Sequence, residues 1–167
     1  MTGGAAPAGP ATTVGPAGVG DDPTAPAPAV LTPAALVAGV GQRLGTSAGL
    51  TVTAERVAVY RAASGDEDHR ETGLVPGFLL LALVVPLSET VFDVAGPGMA
   101  VNHAVTGVRF PDLVAVGEQV RLTVDLLAAR HRPRDWFQIT LGLRLHGRSG
   151  RLGCRAEQQI LYPGVPR

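Results

Sequence analysis

Three consecutive stretches in the second half of the chain alternate between apolar and polar residues. Residues 119–126, 136–145 and 151–160 each carry an apolar side chain at nearly every second position. This period of two is typical of a β-strand with one buried face and one solvated face. Short turns rich in Pro, Gly and Arg separate the stretches, and links this short require antiparallel neighbours. With a fourth strand predicted from Val101 to Phe110, the pattern indicates an antiparallel meander.

A helix in the first half of the chain is predicted to be buried on every side. The run from Leu74 to Ser88 is apolar at nearly all positions, and a helix without a polar face has to lie inside a core. One buried helix followed by an antiparallel meander is an α+β arrangement. The sequence therefore predicts a sheet that wraps around a central helix.

Capping residues predict two shorter helices ahead of the central one. Thr32 followed by Pro33 is a helix start, because a hydroxyl cap precedes a Pro at the first helical position. Thr53 caps a second helix, and Gly65 marks its end. A short strand is predicted between these helices, over residues 44–52.

The amino-terminal segment has the composition of a disordered tail. Seven of the 14 prolines lie within the first 33 residues, interleaved with Ala, Gly and Thr. Without apolar periodicity, such a segment cannot bury enough surface to offset the entropy lost on ordering. It also lacks the Arg-led start and continuous apolar core of a signal peptide. The sequence predicts a tail over residues 1–31 and one domain over residues 32–167.

The charge balance excludes two classes of partner. All 14 basic residues are Arg and they balance 14 acidic residues, so the formal net charge is zero. This does not suit nucleic-acid binding by counterion release or binding to a membrane surface through a polybasic segment. No apolar run reaches the roughly 18 residues of a membrane span.

The sequence contains no motif for a metal or a phosphate group. No His and carboxylate pattern has metal-ligand spacing, and no Gly-rich phosphate loop occurs. We expect a soluble cytoplasmic protein without cofactor or metal.

Four segments occur in an order and spacing that are found in one protein family. They are Gly41 to Ser47 with the pattern G-x-x-x-G-x-S, Gly77-Phe78-Leu79, Val101 to Ala104, and Arg109 to Glu118 with its Arg-Phe-Pro turn. Together they resemble the MaoC-like hydratase/dehydratase family, and the similarity covers residues 32–163. The resemblance implies the hotdog fold, in which an antiparallel sheet wraps around a central buried helix, and it implies a homodimer.

The resemblance also implies where catalytic groups lie. Family hydratases pair an Asp with a His five residues later, in a D-x-N-P-x-H loop, as acid and base on water and an enoyl thioester. A backbone N–H at the amino end of the central helix holds the thioester oxygen. Here Asp66 matches the Asp and Gly77 matches the Gly at the helix start. The loop departs from the pattern, because His69 follows Asp66 at +3, Pro76 replaces a His, and the loop is shorter.

These departures leave three functions open. The first prediction is a cyclase or isomerase of specialised metabolism that acts on a bulky hydrophobic acyl or polyketide intermediate, since holding such a chain in a near-attack conformation promotes ring closure. The second is an (R)-specific enoyl-thioester hydratase or 3-hydroxyacyl dehydratase that uses Asp66 and a relocated His69. The third is a non-catalytic hotdog partner subunit, in which the charged run after Gly65 is only a solvated turn.

Further candidates each have a structural alternative. His103 follows Asn102 in a predicted inner strand, where it is a proton donor near neutral pH or a His at a dimer seam. Arg109 recognises the thioester or fixes the turn before Pro111, and the aromatic candidates line an apolar pocket or belong to the core. The predicted catalytic residues are Asp66, His69 and His103, and the predicted substrate-binding residues are Gly77, Phe78, Asn102, Arg109 and Trp136.

An excess of positive charge follows residue 130. Seven Arg residues lie between residues 130 and 155 against one acid, Asp135, which suits an acidic carrier protein or the phosphates of a CoA thioester, or reflects exposed strand turns. The expected partners are a hydrophobic small molecule, free or bound to CoA or a carrier protein, and a second copy of the chain, with no nucleic acid and no membrane. Cys154 is predicted to be a core residue, and His131 and His146 are predicted to face solvent.

Overall fold

The computed structural model describes residues 27–66, 73–96 and 98–165. Short elements fill the first half of the chain and long strands fill the second half, as the change of hydrophobic period predicts. The elements in chain order are β1 Ala29–Leu31, α1 Pro33–Ala38, β2 Arg43–Thr46, β3 Leu50–Thr51, α2 Ala54–Ser64, α3 Gly77–Glu89, β4 Phe92–Val94, β5 Val101–Arg109, β6 Gln119–Arg132, β7 Trp136–Gly147 and β8 Leu152–Tyr162.

The main sheet is the meander that the alternation predicts. β6, β7 and β8 pair antiparallel in the order of the chain, and β5 pairs antiparallel with β8 at one edge. β2 and β3 both pair antiparallel with β6 on the other side. The strand order is therefore β2, β6, β7, β8, β5, with β3 also on β6.

The central helix is α3, and it is shorter than the apolar run that predicts it. It begins at Gly77 because Leu74 and Val75 are extended and bond to the segment before β6 instead. Its buried residues are Leu79, Leu80, Leu83, Val84, Leu87 and Ser88. Burial is not complete all round, since Phe78 is 68% exposed. No helix within the described ranges is long and apolar enough to cross a membrane.

The core lies between α3 and the concave face of the sheet. The apolar positions of the alternating strands point into it, and Leu122, Ile139 and Leu141 have no solvent exposure. Each such side chain contributes about 1.5–3 kcal/mol when fully buried. Because the alternation fixes which face is buried, the strands cannot shift register by one residue without exposing this set.

The two shorter helices begin and end at the predicted capping residues. The Oγ1 of Thr32 accepts the N–H of Ala35 at 3.1 Å. The Oγ1 of Thr53 accepts the N–H of Arg56 at 3.2 Å. α2 ends at Gly65, whose φ of 67° lies in the left-handed region that favours Gly.

The strand predicted over residues 44–52 is two strands, β2 and β3. Ser47 separates them and is buried, and its Oγ accepts the N–H of Leu122 at 2.9 Å while its N–H donates to the Leu122 carbonyl at 2.8 Å. The Ser47 hydroxyl oxygen thus accepts the hydrogen bond that a backbone carbonyl accepts in a continuous strand. The hydrophobic pattern of the sequence does not reveal this break between β2 and β3.

A second, parallel pair of strands extends the folded part beyond its predicted boundary. Ala29–Leu31, which the sequence places at the end of the tail, is β1 and pairs with β4 at Phe92–Val94. The tail prediction misses this strand because its partner lies far away in the sequence. Residues 1–26, the rest of the predicted tail, lie outside the described residues.

β5 is an edge strand, although the sequence predicts an inner one. It pairs only with β8 among the described strands. Asn102 pairs with Ile160 and Ala104 pairs with Gln159, so His103 is an extra residue on β5 and forms a β-bulge. Val105 on this strand is 44% exposed, which leaves an apolar side chain on a free edge.

Candidate functional site

The amino end of α3 presents backbone donors without partners. Pro76 occupies the N-cap position and supplies no side-chain bond. The N–H groups of Leu79 and Leu80 both donate to the Pro76 carbonyl, at 3.0 and 3.2 Å. The N–H groups of Gly77 and Phe78 have no acceptor among the described residues. Two orphan donors at the positive end of a helix dipole suit a negatively charged or polarised oxygen.

An aromatic ring covers the Cα of Gly77. A Cβ built on Gly77 would lie 3.0 Å from Cδ2 and Cγ of Phe110, a contact so tight that the ring would have to shift by a few tenths of an ångström. Phe110 in turn packs edge-to-face against Phe78 with ring centroids 5.9 Å apart. Both rings are exposed, so the amino end of α3 carries an apolar surface beside its free donors. Only glycine fits this position without moving the ring.

Short backbone pairing fixes the amino end of α3 beside the segment that leads into β6. The N–H of Val75 donates to the Val114 carbonyl at 2.9 Å, and the N–H of Val116 donates to the Gly73 carbonyl at 2.8 Å. Arg109, at the end of β5, is exposed and donates from Nη1 to the Val108 carbonyl at 2.8 Å. This bond is to the residue before it on the same strand, and both roles predicted for Arg109, thioester recognition and fixing of the turn before Pro111, stay predictions.

A cavity of about 310 Å³, here called the α2 pocket, lies between α2 and this segment. Its lining consists of Ala54, Val57, Ala58, Arg61, Gly73, Leu74 and Val116. The Nε of Arg61 is buried there and has no hydrogen-bond partner among the residues that the structure describes. The pocket is therefore apolar, with one guanidinium edge in its wall.

Asp66 lies just after the helix that lines the α2 pocket. Its N–H donates to the Arg61 carbonyl at 3.2 Å, and its side chain is exposed. Gly77 follows Gly73, on the other wall of the same pocket, by four positions. The segment between the walls, residues 67–72, includes His69 and lies outside the described residues. Asp66 and Gly77 thus lie on the chain segments that continue from the two walls of the pocket, and neither is among its lining residues.

Asn102 belongs to a different region, at the carboxyl end of α3. A cavity of about 180 Å³ lies there between α3, β5 and β8, and is here called the β5 pocket. Its lining consists of Val85, Ser88, Glu89, Phe92, Asp93, Ala100, Asn102, Gln158, Ile160 and Tyr162. The Nε2 of Gln158 donates to Oδ1 of Asn102 at 2.5 Å, while the Oε1 of Gln158 is buried without a partner.

The surroundings of the β5 pocket shift the pKa of the Tyr162 hydroxyl. Burial, and then the charge of Asp93, raise the pKa of its hydroxyl to about 12. The hydroxyl therefore stays protonated over the whole neutral range. It adds a polar group to the wall of the β5 pocket that does not change charge there.

The predicted site residues fall into two groups within one protomer. Asp66, Gly77, Phe78 and Arg109 lie toward the amino end of α3, whereas Asn102, His103 and Trp136 lie toward its carboxyl end. A helix of 13 residues spans about 20 Å. His103 is exposed in its β-bulge, and Trp136 is half-buried where β7 begins. One protomer does not bring the two groups together.

Two residues of these regions escape the sequence prediction. Phe110 reads as part of a turn, and only the fold shows that it covers Gly77. Gln158 occupies an inward position of β8 between Ala156 and Ile160, where the alternation calls for an apolar side chain. That break in the pattern is the one visible sign of a polar group in the core.

The remaining His and Cys residues are buried or pack against neighbouring groups of the fold. Cys154 is buried as predicted, and burial raises the pKa of its thiol to about 11. His131 does not simply face solvent: its ring packs against Phe137 with centroids 5.1 Å apart. His146 is half-buried, with Nδ1 3.1 Å from the Gly150 carbonyl. Across the described ranges, no group of three His, Cys, Asp or Glu side chains is arranged to hold a metal ion.

The Arg-rich second half is partly neutralised within the chain. Asp125 accepts from Arg43 at 3.2 Å and from Arg144 at 2.5 Å. Arg151 pairs with Asp112 at 2.6 Å. Exposed ion pairs of this kind contribute only about 0–1 kcal/mol each. They lower the local excess of positive charge that the sequence indicates.

Comparisons with known proteins agree with this architecture. No family model matches the chain. The chain is 30% identical over 141 residues to 3-hydroxyacyl-thioester dehydratase Z from Mycobacterium tuberculosis, and the alignment covers 76% of this chain and 93% of that protein. The sequence similarity therefore extends over nearly the whole dehydratase.

Two solved structures show the same fold at lower identity. A monoamine oxidase regulatory protein from Archaeoglobus fulgius has a TM-score of 0.64 at 17% identity, over 76% of this chain and 92% of that one. An (R)-hydratase from A. caviae, involved in PHA biosynthesis, has a TM-score of 0.58 at 23% identity, over 76% of this chain and 96% of that one. These structural matches bear on the fold alone.

Proposed function

The chain belongs to the MaoC-like hydratase/dehydratase family and has its hotdog fold, and from this premise we propose that it adds water to enoyl thioesters and, in reverse, dehydrates 3-hydroxyacyl thioesters. The sequence alone favours a cyclase or isomerase first and this activity second. The similarity to a dehydratase over nearly its full length supports the second prediction better than the first.

The amino end of α3 is the observation that carries the proposal. The thioester carbonyl oxygen accepts the free N–H of Gly77, at the positive end of the helix dipole. Negative charge accumulates on that oxygen when water adds to the neighbouring double bond. A donor that is fixed in place before the reaction stabilises this charge without reorganisation.

Asp66 supplies the carboxylate in this proposal. As a general base it removes a proton from the water that attacks the β carbon, and the α carbon gains a proton from a general acid. His69, three residues after Asp66 in the sequence, is the predicted acid. The α2 pocket, between the segments that lead to Asp66 and Gly77, supplies a mainly apolar wall beside this region.

A homodimer is part of the proposal, because β5 leaves a free edge. An unpaired strand edge with an exposed apolar side chain such as Val105 is a template for pairing with another strand. Antiparallel pairing of β5 with its copy across a two-fold axis brings the Asn102 end of one protomer beside the Arg109 end of its partner. Both groups of predicted site residues then meet at the interface.

Enoyl-thioester turnover by the purified full chain tests the proposal. Hydration of crotonyl-CoA and of a longer enoyl-CoA lowers the absorbance of the conjugated thioester, and we expect this change with the wild-type protein. Asp66→Asn should lower kcat/KM by roughly 100-fold or more, as expected for loss of a general base. Glu157→Gln, which changes an exposed carboxylate on β8, should leave kcat/KM unchanged.

Two results would argue against the proposal. A folded dimer that turns over no enoyl thioester of any length would favour a non-catalytic subunit or a ring-closing enzyme. Turnover that survives Asp66→Asn undiminished would remove Asp66 from the mechanism.

A further inference from the structure

The β5 pocket contains a buried acceptor that the proposed chemistry does not use. The side chain of Gln158 is only 2% exposed. Its Nε2 donates to Asn102, which fixes the amide, and its Oε1 has no partner. Buried polar atoms in folded proteins nearly always have a hydrogen-bond partner. An acceptor without one, on a residue that lines a cavity, indicates a missing donor that a small movement of the side chain would admit.

The charges around the β5 pocket restrict which ligand group can donate a hydrogen bond to Gln158. Glu89 and Asp93 line the β5 pocket, and no Arg or His is among its lining residues. A carboxylate ligand would meet two like charges and the Oε1 of Gln158, so it is disfavoured. A neutral hydroxyl is suited to the cavity, because it can donate to Gln158 and can also accept a hydrogen bond, for example from the side-chain amide of Asn102.

The position of the cavity relates it to the thioester end of the site. Gly77 and Ser88 are both on α3, and at 1.5 Å per residue they are about 17 Å apart along the helix axis. A long acyl chain that lies along α3 from Gly77 therefore reaches the β5 pocket with its distal carbons. The pocket has a volume of about 180 Å³, enough for the end of such a chain together with a polar group.

We propose that the β5 pocket selects acyl substrates that carry a hydroxyl group far from the thioester, and that Gln158 is the residue that recognises it. This inference rests on the proposed hydratase function and names a substrate class for it. Gln158 is then a specificity residue and takes no part in the hydration step. An apolar side chain at this position would suit a plain alkyl chain better.

Kinetics with a matched pair of substrates test the inference. The pair is trans-dodecenoyl-CoA and its ω-hydroxy derivative, with the ω-carboxy derivative as a third probe. We expect the wild-type kcat/KM to be roughly tenfold higher for the ω-hydroxy chain than for the plain chain, the factor that corresponds to one net hydrogen bond to a buried acceptor. The ω-carboxy chain should be the poorest of the three.

Gln158→Met should remove the preference or reverse it while keeping turnover of the plain chain. Gln159→Met is the matched control, because residue 159 is next on the same strand and bonds to Gln138 on the other face of the sheet. This control variant should keep the preference for the hydroxyl chain. Equal kcat/KM for the three chains in the wild-type protein, or a preference that Gln158→Met leaves intact, would overturn the inference.

A binding experiment separates this inference from the proposed reaction. Calorimetric titration with methyl ω-hydroxydodecanoate and methyl dodecanoate needs no turnover. Tighter binding of the hydroxy ester to the wild-type protein but not to Gln158→Met supports the pocket even if hydration fails. Equal binding of both esters, with hydration intact, overturns the pocket inference and leaves the proposed reaction standing.

Discussion

The ring of Phe110 lies directly on the Cα of Gly77, with its Cγ and Cδ2 only 3.0 Å from where a Cβ would be. Gly77→Ala therefore has to displace the ring or the amino end of α3. Because the proposed oxygen anchor is the N–H of this residue, we expect kcat/KM for enoyl thioesters to fall by about 100-fold. Steady-state kinetics measure this, with circular dichroism to show that the fold persists.

A second substitution tests whether Gly77→Ala lowers activity through the steric contact of its Cβ with the Phe110 ring. Phe110→Ala removes the ring that the new Cβ meets, so Gly77→Ala combined with Phe110→Ala should recover part of the activity relative to Gly77→Ala alone. If kcat/KM of the double variant falls by the sum of the two single losses in activation free energy, the contact with Phe110 is not the cause of the loss in Gly77→Ala.

Gln138 and Gln158 are buried to the same extent but differ in their hydrogen bonds. Gln138 accepts from Arg132 at 2.7 Å and donates to Gln159 at 3.0 Å, whereas the Oε1 of Gln158 has no partner. Without ligand, Gln158→Met should raise the free energy of unfolding by about 1 kcal/mol, because it removes an unsatisfied buried oxygen. Gln138→Met should lower it by about 1–3 kcal/mol, because it leaves former partners unpaired.

Urea denaturation of both variants beside the wild-type chain gives these values. The signs of the two changes are the decisive observation. A loss of stability in Gln158→Met as large as that in Gln138→Met would mean that the Gln158 oxygen is not a destabilising group.

Gly153 marks a close contact between β8 and the segment before β6. A Cβ at this position would lie 2.5 Å from Cγ2 of Val114. Gly153→Ala should lower the free energy of unfolding by about 1–3 kcal/mol, the usual cost of overpacking. Gly98→Ala is the control, since no atom lies within 4 Å of its Cβ position, and thermal unfolding should show little change for it.

The raised pKa of Tyr162 predicts a loss of stability at alkaline pH. In the folded state the pKa of this hydroxyl is raised to about 12, against the ordinary value of 10.0 for tyrosine. This contribution is fully present below pH 10 and is lost as the pH rises through the folded pKa, because the unfolded chain releases its proton first. At roughly 1.4 kcal/mol for each tenfold change in the proton-binding equilibrium, this raised pKa corresponds to at most about 3 kcal/mol of stability.

Tyr162→Phe should flatten this part of the pH profile. Unfolding of both proteins between pH 9 and 12 checks it, with the wild type losing more stability than the variant over that range. Cys154, whose pKa is raised to about 11, contributes equally in both proteins. If the free energies of unfolding of the two proteins fall in parallel as the pH rises, Tyr162 is not the cause of the alkaline loss of stability.

The free edge of β5 predicts an effect on assembly. Val105→Lys places a charge on the exposed apolar position of this strand, which disfavours pairing with another strand. We expect light scattering to show a dimer for the wild type and a shift toward monomer for the variant. Val59→Lys, at an exposed position of α2, should leave the mass unchanged, and a dimer that survives Val105→Lys would place the interface elsewhere.

Much of the fold could be predicted because its signals are local. Alternation at 119–126, 136–145 and 151–160 predicts β6, β7 and β8, and Thr53 and Gly65 give the bounds of α2. The position of β5 at the edge of the sheet could not be predicted, because strand order depends on which segments meet in space. The same holds for Ala29–Leu31, which becomes a strand only beside β4.

The sequence by itself determined the class of fold, the buried face of each long strand, the caps of the helices and the family resemblance, because each of these depends on neighbouring residues or on motif order. The tertiary structure decided how the candidate residues are grouped. It set Phe110 on Gly77, placed Asn102 against Gln158 at the other end of α3, and left the Gln158 oxygen without a partner. Contacts between residues far apart in the chain depend on how the sheet wraps around α3, and no local pattern encodes them.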